Sequence, residues 1–190
     1  MEIILASASP RRKMLLEQLG LEFNIQPSNL DESKVELTNP SELVQHLSYL
    51  KANEVQSEKS QLVIAADTVV SNKDVILEKP ADKTEAKQML KALSGTTHQV
   101  MTGITVLTDQ IVSTDYETTN VTFKELTEKE INDYIATGEP LDKAGAYGIQ
   151  AKGAVFVKKI EGCFYNVVGL SLYRLVQMIN EVGLEIELNG

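Results

Sequence analysis

The segment Leu62-Val63-Ile64-Ala65-Ala66-Asp67-Thr68-Val69-Val70 is apolar except for one carboxylate and one hydroxyl. Such a continuous run reads as a strand buried on both faces, which in a soluble chain means strands on either side and helices above and below. The rest of the sequence supplies them. It predicts a strand at 2–6, a helix at 10–20, a strand at 22–27, a helix at 40–57, a short strand at 74–77 and a helix at 82–93. Two long β-rich runs follow, His98 to Leu107 and Val112 to Phe123, joined by Thr108-Asp109-Gln110 and read as an antiparallel hairpin. Thr127 with Glu130 forms a capping box that opens a helix to about Thr137. A strand at 153–160 and a helix at 167–181 complete the pattern. The expected class is mixed α/β, a mixed sheet with helices on its faces, forming one domain over 1–190 with two lobes around a central cleft.

Charge narrows the partners. With 27 acidic against 18 basic residues the chain carries a net −9, which argues against nonspecific binding to nucleic acid or to anionic membranes. The single cysteine, Cys163, excludes an internal disulfide and fits a reducing compartment. Beside Gly162 and Phe164 it reads as a core or turn residue, without the basic neighbour that would activate a thiolate. No stretch approaches the roughly 20 apolar residues of a membrane span, and a cytoplasmic protein is expected.

Two features stand out against this background. An ionised carboxylate inside an apolar strand costs several kcal/mol unless it is paired or bound to metal, so Asp67 points to chemistry, with a capping or turn-forming role as the alternative. Near the carboxyl end of a strand it also lies where α/β sheets bind ligands. The second feature is Ala6-Ser7-Ala8-Ser9-Pro10-Arg11-Arg12-Lys13, directly after the apolar Ile3-Ile4-Leu5. Ser9 suits the N-cap and Pro10 the first helical position. Three cations then crowd the positive end of the helix dipole, disfavoured there by roughly 0.3–1 kcal/mol each. A bound anion, held by the helix N–H groups, Ser7, Ser9 and the guanidinium forks, would account for them; a solvated basic turn is the other reading.

Further candidates are less distinctive. Lys79, after the short strand and before Pro80, could reach a phosphate or could be a surface lysine, and Lys51 carries the same ambiguity. His46 and His98 lack metal-ligand spacing. The polar loop 28–39, with Asp31, Glu32, Ser33, Lys34 and Glu36, is a natural rim or lid of a site. The segment Glu139-Pro140-Leu141-Asp142-Lys143-Ala144-Gly145-Ala146-Tyr147-Gly148-Ile149-Gln150 places two glycines three apart, which either permits close approach to a flat ligand or builds a structural loop. The amide of Gln150 matches the donor and acceptor of a pyrimidine imide edge.

Taken in order, Ala6-Ser7-Ala8-Ser9-Pro10-Arg11-Arg12, Ala66-Asp67-Thr68, Glu78-Lys79-Pro80, Leu93-Ser94-Gly95 and the 142–150 segment resemble the motifs of the Maf proteins, nucleoside triphosphate pyrophosphatases related in fold to the inosine triphosphate pyrophosphatases. The resemblance spans essentially the whole chain. It implies house-cleaning hydrolysis of a nucleoside triphosphate to monophosphate and pyrophosphate, with a divalent cation, magnesium or manganese. The 142–150 segment and the Arg-Arg pair resemble the branch acting on dTTP and UTP.

By the same resemblance Asp67 is the proton acceptor, and Arg11, Thr68 and Gln150 govern substrate choice. Glu32, Lys51 and Lys79 match further polar positions, giving Asp67 and Glu32 as metal ligands. Ser7, Ser9, Arg12 and Lys143 join Arg11, Lys51, Thr68, Lys79 and Gln150 as expected substrate contacts. Ala65 and Ala151 stand where glycines are common, and Asp31 where a glutamate is often seen. A homodimer is expected. The resemblance also admits pyrophosphatases acting on 7-methyl-GTP or inosine-type nucleotides, and a nucleotide-binding regulator of septum formation without turnover.

Overall fold

The computed structural model describes residues 1–56, 60–73 and 75–186. The chain opens with β1 (Glu2–Leu5) and α1 (Pro10–Glu17), then β2 (Asn24–Ile25), α2 (Pro40–Val55) and β3 (Gln61–Asn72). Next come β4 (Val75–Leu77), α3 (Lys83–Leu93), β5 (Thr97–Leu107) and β6 (Val112–Phe123). The helix α4 (Glu128–Ala136), three short 3-10 turns, β7 (Val157–Glu161), α5 (Phe164–Val168) and α6 (Leu172–Glu181) complete it. Among the described residues the strands form one seven-stranded sheet in the order β2-β1-β3-β5-β6-β7, with β4 paired to β3 off that path.

The local chemistry explains most boundaries. Ser9 accepts from the Arg12 N–H, Asn39 from Ser41 and Glu42, Asp82 from Thr84 and Glu85, and Ser171 from Arg174, each closing a helix start that would otherwise leave donors unmet. The expected capping box is present, with Thr127 and Glu130 bonding reciprocally. Other boundaries moved. The strand expected at 22–27 shrinks to two residues, because β1 offers only Ile4 and Leu5 as partners and Pro27 cannot donate to a ladder. The helix expected at 167–181 is two helices, divided at Gly169, whose φ of +125° no helix tolerates. The strand expected at 153–160 starts at Val157, with residues 152–156 taken up in a 3-10 turn.

The largest correction concerns Asp67, which lies mid-strand rather than near a strand end. β3 continues to Asn72 because Val70, Ser71 and Asn72 pair antiparallel with Leu77, Ile76 and Val75 of β4. The parallel pairing of β3 with β1 nevertheless ends at Ile64, opposite Leu5. Asp67 therefore stands just past the carboxyl end of the parallel segment, the location that α/β sheets use for ligands.

The chain divides into two compact units, Met1–Asp67 with Thr102–Glu117 and Gly169–Gly190, and Thr68–Met101 with Thr118–Val168. In the first, Ile4, Ala6, Ala52, Val55, Val63, Ala65 and Leu107 form a buried cluster. The fully buried Ala65 belongs to it. In the second, α3 and α4 pack with Val100, Val121, Phe123, Tyr147 and Phe156. Phe123 makes edge contacts with His98, Tyr147 and Phe156, at centroid separations of 4.9, 4.7 and 6.0 Å.

Within the first unit α2 lies against β5 at Gly103. A Cβ there would stand 2.1 Å from the Val44 carbonyl oxygen and 2.7 Å from the Gln45 nitrogen, so helix backbone would have to move. Gly103→Ala is expected to lower stability by about 3 kcal/mol, the upper range for overpacking a tight core, measured by urea unfolding against wild type.

Candidate active site

Three segments of the first unit lie at or beyond the carboxyl ends of its parallel pairing. Residues 6–9 run from β1 into α1, the loop carrying Glu32 follows β2, and Asp67 lies beyond the β1-paired part of β3. At the first of these, Ser7 Oγ accepts from the Ser9 N–H at 3.2 Å and from Arg12 at 3.3 Å, while Arg12 Nε donates to the Gly169 carbonyl at 2.9 Å. Loss of water pulls the Arg12 pKa down; the negative charge of Asp67 opposes that shift, Arg11 adds to it, and Glu32 again opposes it. The guanidinium thus lies within the field of both carboxylates. Lys13 faces outward to Glu17 at 3.7 Å, both half exposed, a pair of small energetic weight.

Lys51, on α2, connects the Glu32 loop to Asp67 of β3. Its Nζ is 2.5 Å from Asp67 Oδ1 and 2.8 Å from Glu32 Oε1. The Lys51 and Asp67 side chains are only 12% and 9% exposed, so this ion pair is largely dry, whereas Glu32 is 50% exposed. Removing one partner of such a pair leaves an uncompensated charge, at a cost of about 3–5 kcal/mol. The Glu32 loop is tied down by Ser28, whose hydroxyl bonds Glu54 of α2 and accepts from the Leu30 N–H at 3.0 Å. Asp31 bonds Ser33 at 2.6 Å and pairs with Lys34, and its carboxyl is held below the usual range chiefly by the Ser33 hydroxyl.

Among the described residues no group of three or more histidine, cysteine, aspartate or glutamate side chains gathers into a metal cage. Asp67 and Glu32 instead offer two hard oxygen donors converging on one cationic centre, which the Lys51 ammonium occupies. That donor set fits a divalent ion of the magnesium type, which takes one or two carboxylates and draws its other ligands from phosphate and water.

In the second unit the 142–150 segment is stitched to the strand-end motif carrying Lys79 by the Gly145 N–H, which donates to the Glu78 carbonyl at 3.1 Å. Gly145 and Ala146 are both left-handed, at φ +66° and +59°. A Cβ on Gly145 would stand 2.8–3.0 Å from Val70, so glycine is required there, while Ala146 accepts the strain because it is fully buried. Lys143 is half-buried and bonds the Glu139 carbonyl at 2.9 Å and Asp142 at 2.6 Å. Thr68 is half-buried; Lys79, Gln150 and Ala151 are exposed. Cys163 sits in a turn, its N–H and carbonyl both bonded by the Thr119 hydroxyl. His46 is exposed and His98 is 1% exposed, its Nε2 2.9 Å from the Tyr147 hydroxyl.

Tyr134 escaped the sequence reading, which also gave Glu139 and His98 no partners. Tyr134 and Glu139 hold the 148–153 loop, and His98 holds Tyr147. Tyr134 follows Ile131 by three residues on the buried face of α4, so the sequence marks it as core and hides the work of its hydroxyl.

Comparison with known proteins places this arrangement. The fold is similar to that of a HAM1 protein from Coxiella burnetii, with a TM-score of 0.51 at 15% identity over 95% of this chain and 99% of that one. A Staphylococcus aureus Ham1 protein gives the same TM-score at 13% identity, covering 96% and 100% of the two chains. These likenesses bear out the expected fold class. The chain belongs to the Maf family: the family's sequence profile, described as Maf-like protein, matches residues 2–182. Relatives named dTTP/UTP pyrophosphatase include one from Bacillus anthracis, 48% identical over 186 residues, and one from Acetivibrio thermocellus, 49% identical over 195 residues. Each alignment covers 97% of both chains.

Burial lowers the His98 pKa from 6.5 to about 4, and its Nδ1 has no hydrogen-bond partner among the described residues. Between those two values the unfolded chain binds the proton that the folded protein refuses. The contribution of neutral His98 is therefore complete above pH 6.5 and is lost as pH falls toward 4, amounting to about 3 kcal/mol. Urea unfolding at pH 7 and pH 4.5 is expected to show most of this loss, about 2 kcal/mol, and His98→Gln to show a correspondingly smaller pH dependence.

Proposed function

We propose that this chain hydrolyses dTTP and UTP to the nucleoside monophosphate and pyrophosphate. The observation that carries the reading is the Lys51 ammonium held by Asp67 and Glu32 at the carboxyl ends of the parallel strands. The names of relatives nearly half identical over almost the whole chain support the substrate.

The chemistry asks for a proton acceptor for the attacking water, cations for the triphosphate and a fixed orientation. Asp67 is assigned as the proton acceptor, with Lys51 as its ion-pair partner. Lys51, Arg11 and Lys79 are assigned to phosphate charge, together with the N–H groups at the start of α1. Ser7, Ser9 and Arg12 shape that helix start, Arg12 holding it to Gly169 while its charge adds to the anion-attracting field. Asp67 and Glu32 would hold a divalent cation, which when bound supplies charge neutralisation and acidifies water. Thr68 and Gln150 are assigned to the pyrimidine edge, and Lys143 to ordering the segment that carries Gln150. Attack at the α-phosphorus leaves pyrophosphate intact.

Asp67→Asn is expected to lower turnover by at least about 10²-fold, a typical general-base contribution, while nucleotide binding by calorimetry is retained. Near-wild-type turnover in that variant would remove Asp67 as the acceptor. In a pyrophosphate-release assay with magnesium, UTP and dTTP are expected to exceed ATP and GTP by at least about tenfold in kcat/KM, with chelation abolishing release. Binding without release would favour a nucleotide-sensing role, and a preference for 7-methyl-GTP or ITP would move the chain to another branch.

A further inference from the structure

The six residues Gly148–Gly153 form a loop closed at its base, with buried Ile149 and exposed Gln150 in its span. Its two ends touch. A Cβ on Gly153 would stand 2.8 Å from the Gly148 carbonyl oxygen, 3.0 Å from the Gly148 nitrogen and 2.8 Å from the Tyr134 hydroxyl. A Cβ on Gly148 would meet the Lys143 stem at 2.7 and 2.9 Å. Packing therefore requires glycine at 153, whereas at 148 the flexible Lys143 stem would have to yield.

Two side chains hold this base. The Tyr134 hydroxyl accepts from the Gly148 N–H at 3.1 Å and donates to Glu139 Oε1 at 2.8 Å. Glu139 Oε1 also accepts from the Gly153 N–H at 3.3 Å, and Oε2 from the Lys152 N–H at 3.2 Å. Three backbone donors flanking Gln150, two residues before it and two and three after, thus converge on one hydroxyl and one carboxylate. The backbone carbonyl of the same Glu139 receives Lys143.

We infer that Tyr134 and Glu139 are positioning residues for base selection, fixing the loop whose span presents the Gln150 amide. This rests on the assignment of Gln150 to the pyrimidine edge. An amide discriminates between bases only if its donor and acceptor are held in register with the base edge; on a loosened loop it can turn to suit either pattern. Neither residue needs to touch the nucleotide. Tyr134→Phe removes the acceptor for Gly148 and the donor to Glu139 while keeping the ring that packs against Phe156 at 5.0 Å. Glu139→Gln keeps one oxygen and turns the other acceptor into a donor, and Glu139→Asp restores the charge on a shorter arm.

The test is kcat and KM for UTP, dTTP, GTP and ATP in wild type and the three variants, with nucleotide affinity measured separately by calorimetry. Tyr134→Phe and Glu139→Gln are expected to reduce the kcat/KM ratio of UTP to GTP by about tenfold, through KM and affinity for UTP, with kcat within about threefold of wild type. Glu139→Asp is expected to recover part of the ratio. Folded variants that keep the wild-type ratio, or that lose kcat equally for all four nucleotides, would overturn the inference. If Tyr134→Phe does not fold, the Glu139 pair decides the matter by the same ratio. A wild-type protein without pyrimidine preference would instead sink the assignment of Gln150, which separates the two failures.

Discussion

A carboxylate in the interior of an apolar strand obliges the surrounding structure to supply a cation, and much of the first unit is arranged to do so. Lys51 reaches Asp67 only because α2 is fixed along β5. Its start is capped by Asn39, its flank approaches the strand where Gly103 has no side chain, and Ser48 bonds Thr105 at 2.9 Å one turn before the lysine. Thr105 in turn bonds Thr114 of β6 at 3.0 Å. The Ser48 and Thr105 hydroxyls are buried and mutually satisfied, so they set the helix position with a directionality that apolar packing lacks. The ion pair alone is weak evidence for stability; its value lies in holding a charged oxygen where the parallel strands end.

The second unit solves a different problem, that of holding a segment rich in small residues. Gly145, Ala146 and Gly148 contribute little side-chain packing, and Ala146 is strained. Order comes from outside the segment: the Glu78 carbonyl, the Tyr147 ring against Phe123, the His98 nitrogen and the paired Tyr134 and Glu139. Burial and the hydrogen bond to Glu139 both push the Tyr134 pKa up, so the phenol stays a donor throughout the working range.

Most of this architecture was legible in the residues. The long strands and most helices were visible as a period or a cap, with Ser9 and Thr127 announcing helix starts by their own chemistry. Asp67 was conspicuous for the same reason, being a charge where burial forbids one. What the sequence withheld was partnership. Nothing in Lys51, one of several lysines on predicted helices, distinguishes it from a solvated one until α2 is laid beside β3. Tyr134 and Glu139 were hidden because their acceptors and donors are backbone groups, which carry no sequence signal. The position of Asp67 was misjudged because the apolar run stops at Val70, whereas pairing with β4 extends the strand through Ser71 and Asn72.

The bond from Arg12 to the Gly169 carbonyl clasps the first helix to the segment that precedes the last. Its acceptor leaves the ribosome more than 150 residues after its donor. The second unit has all its residues once Val168 has emerged, whereas the first still awaits its third segment. During synthesis the part of the protein that is begun first is thus the part that can be closed last. Until that closure the start of α1 lacks the bond that anchors it.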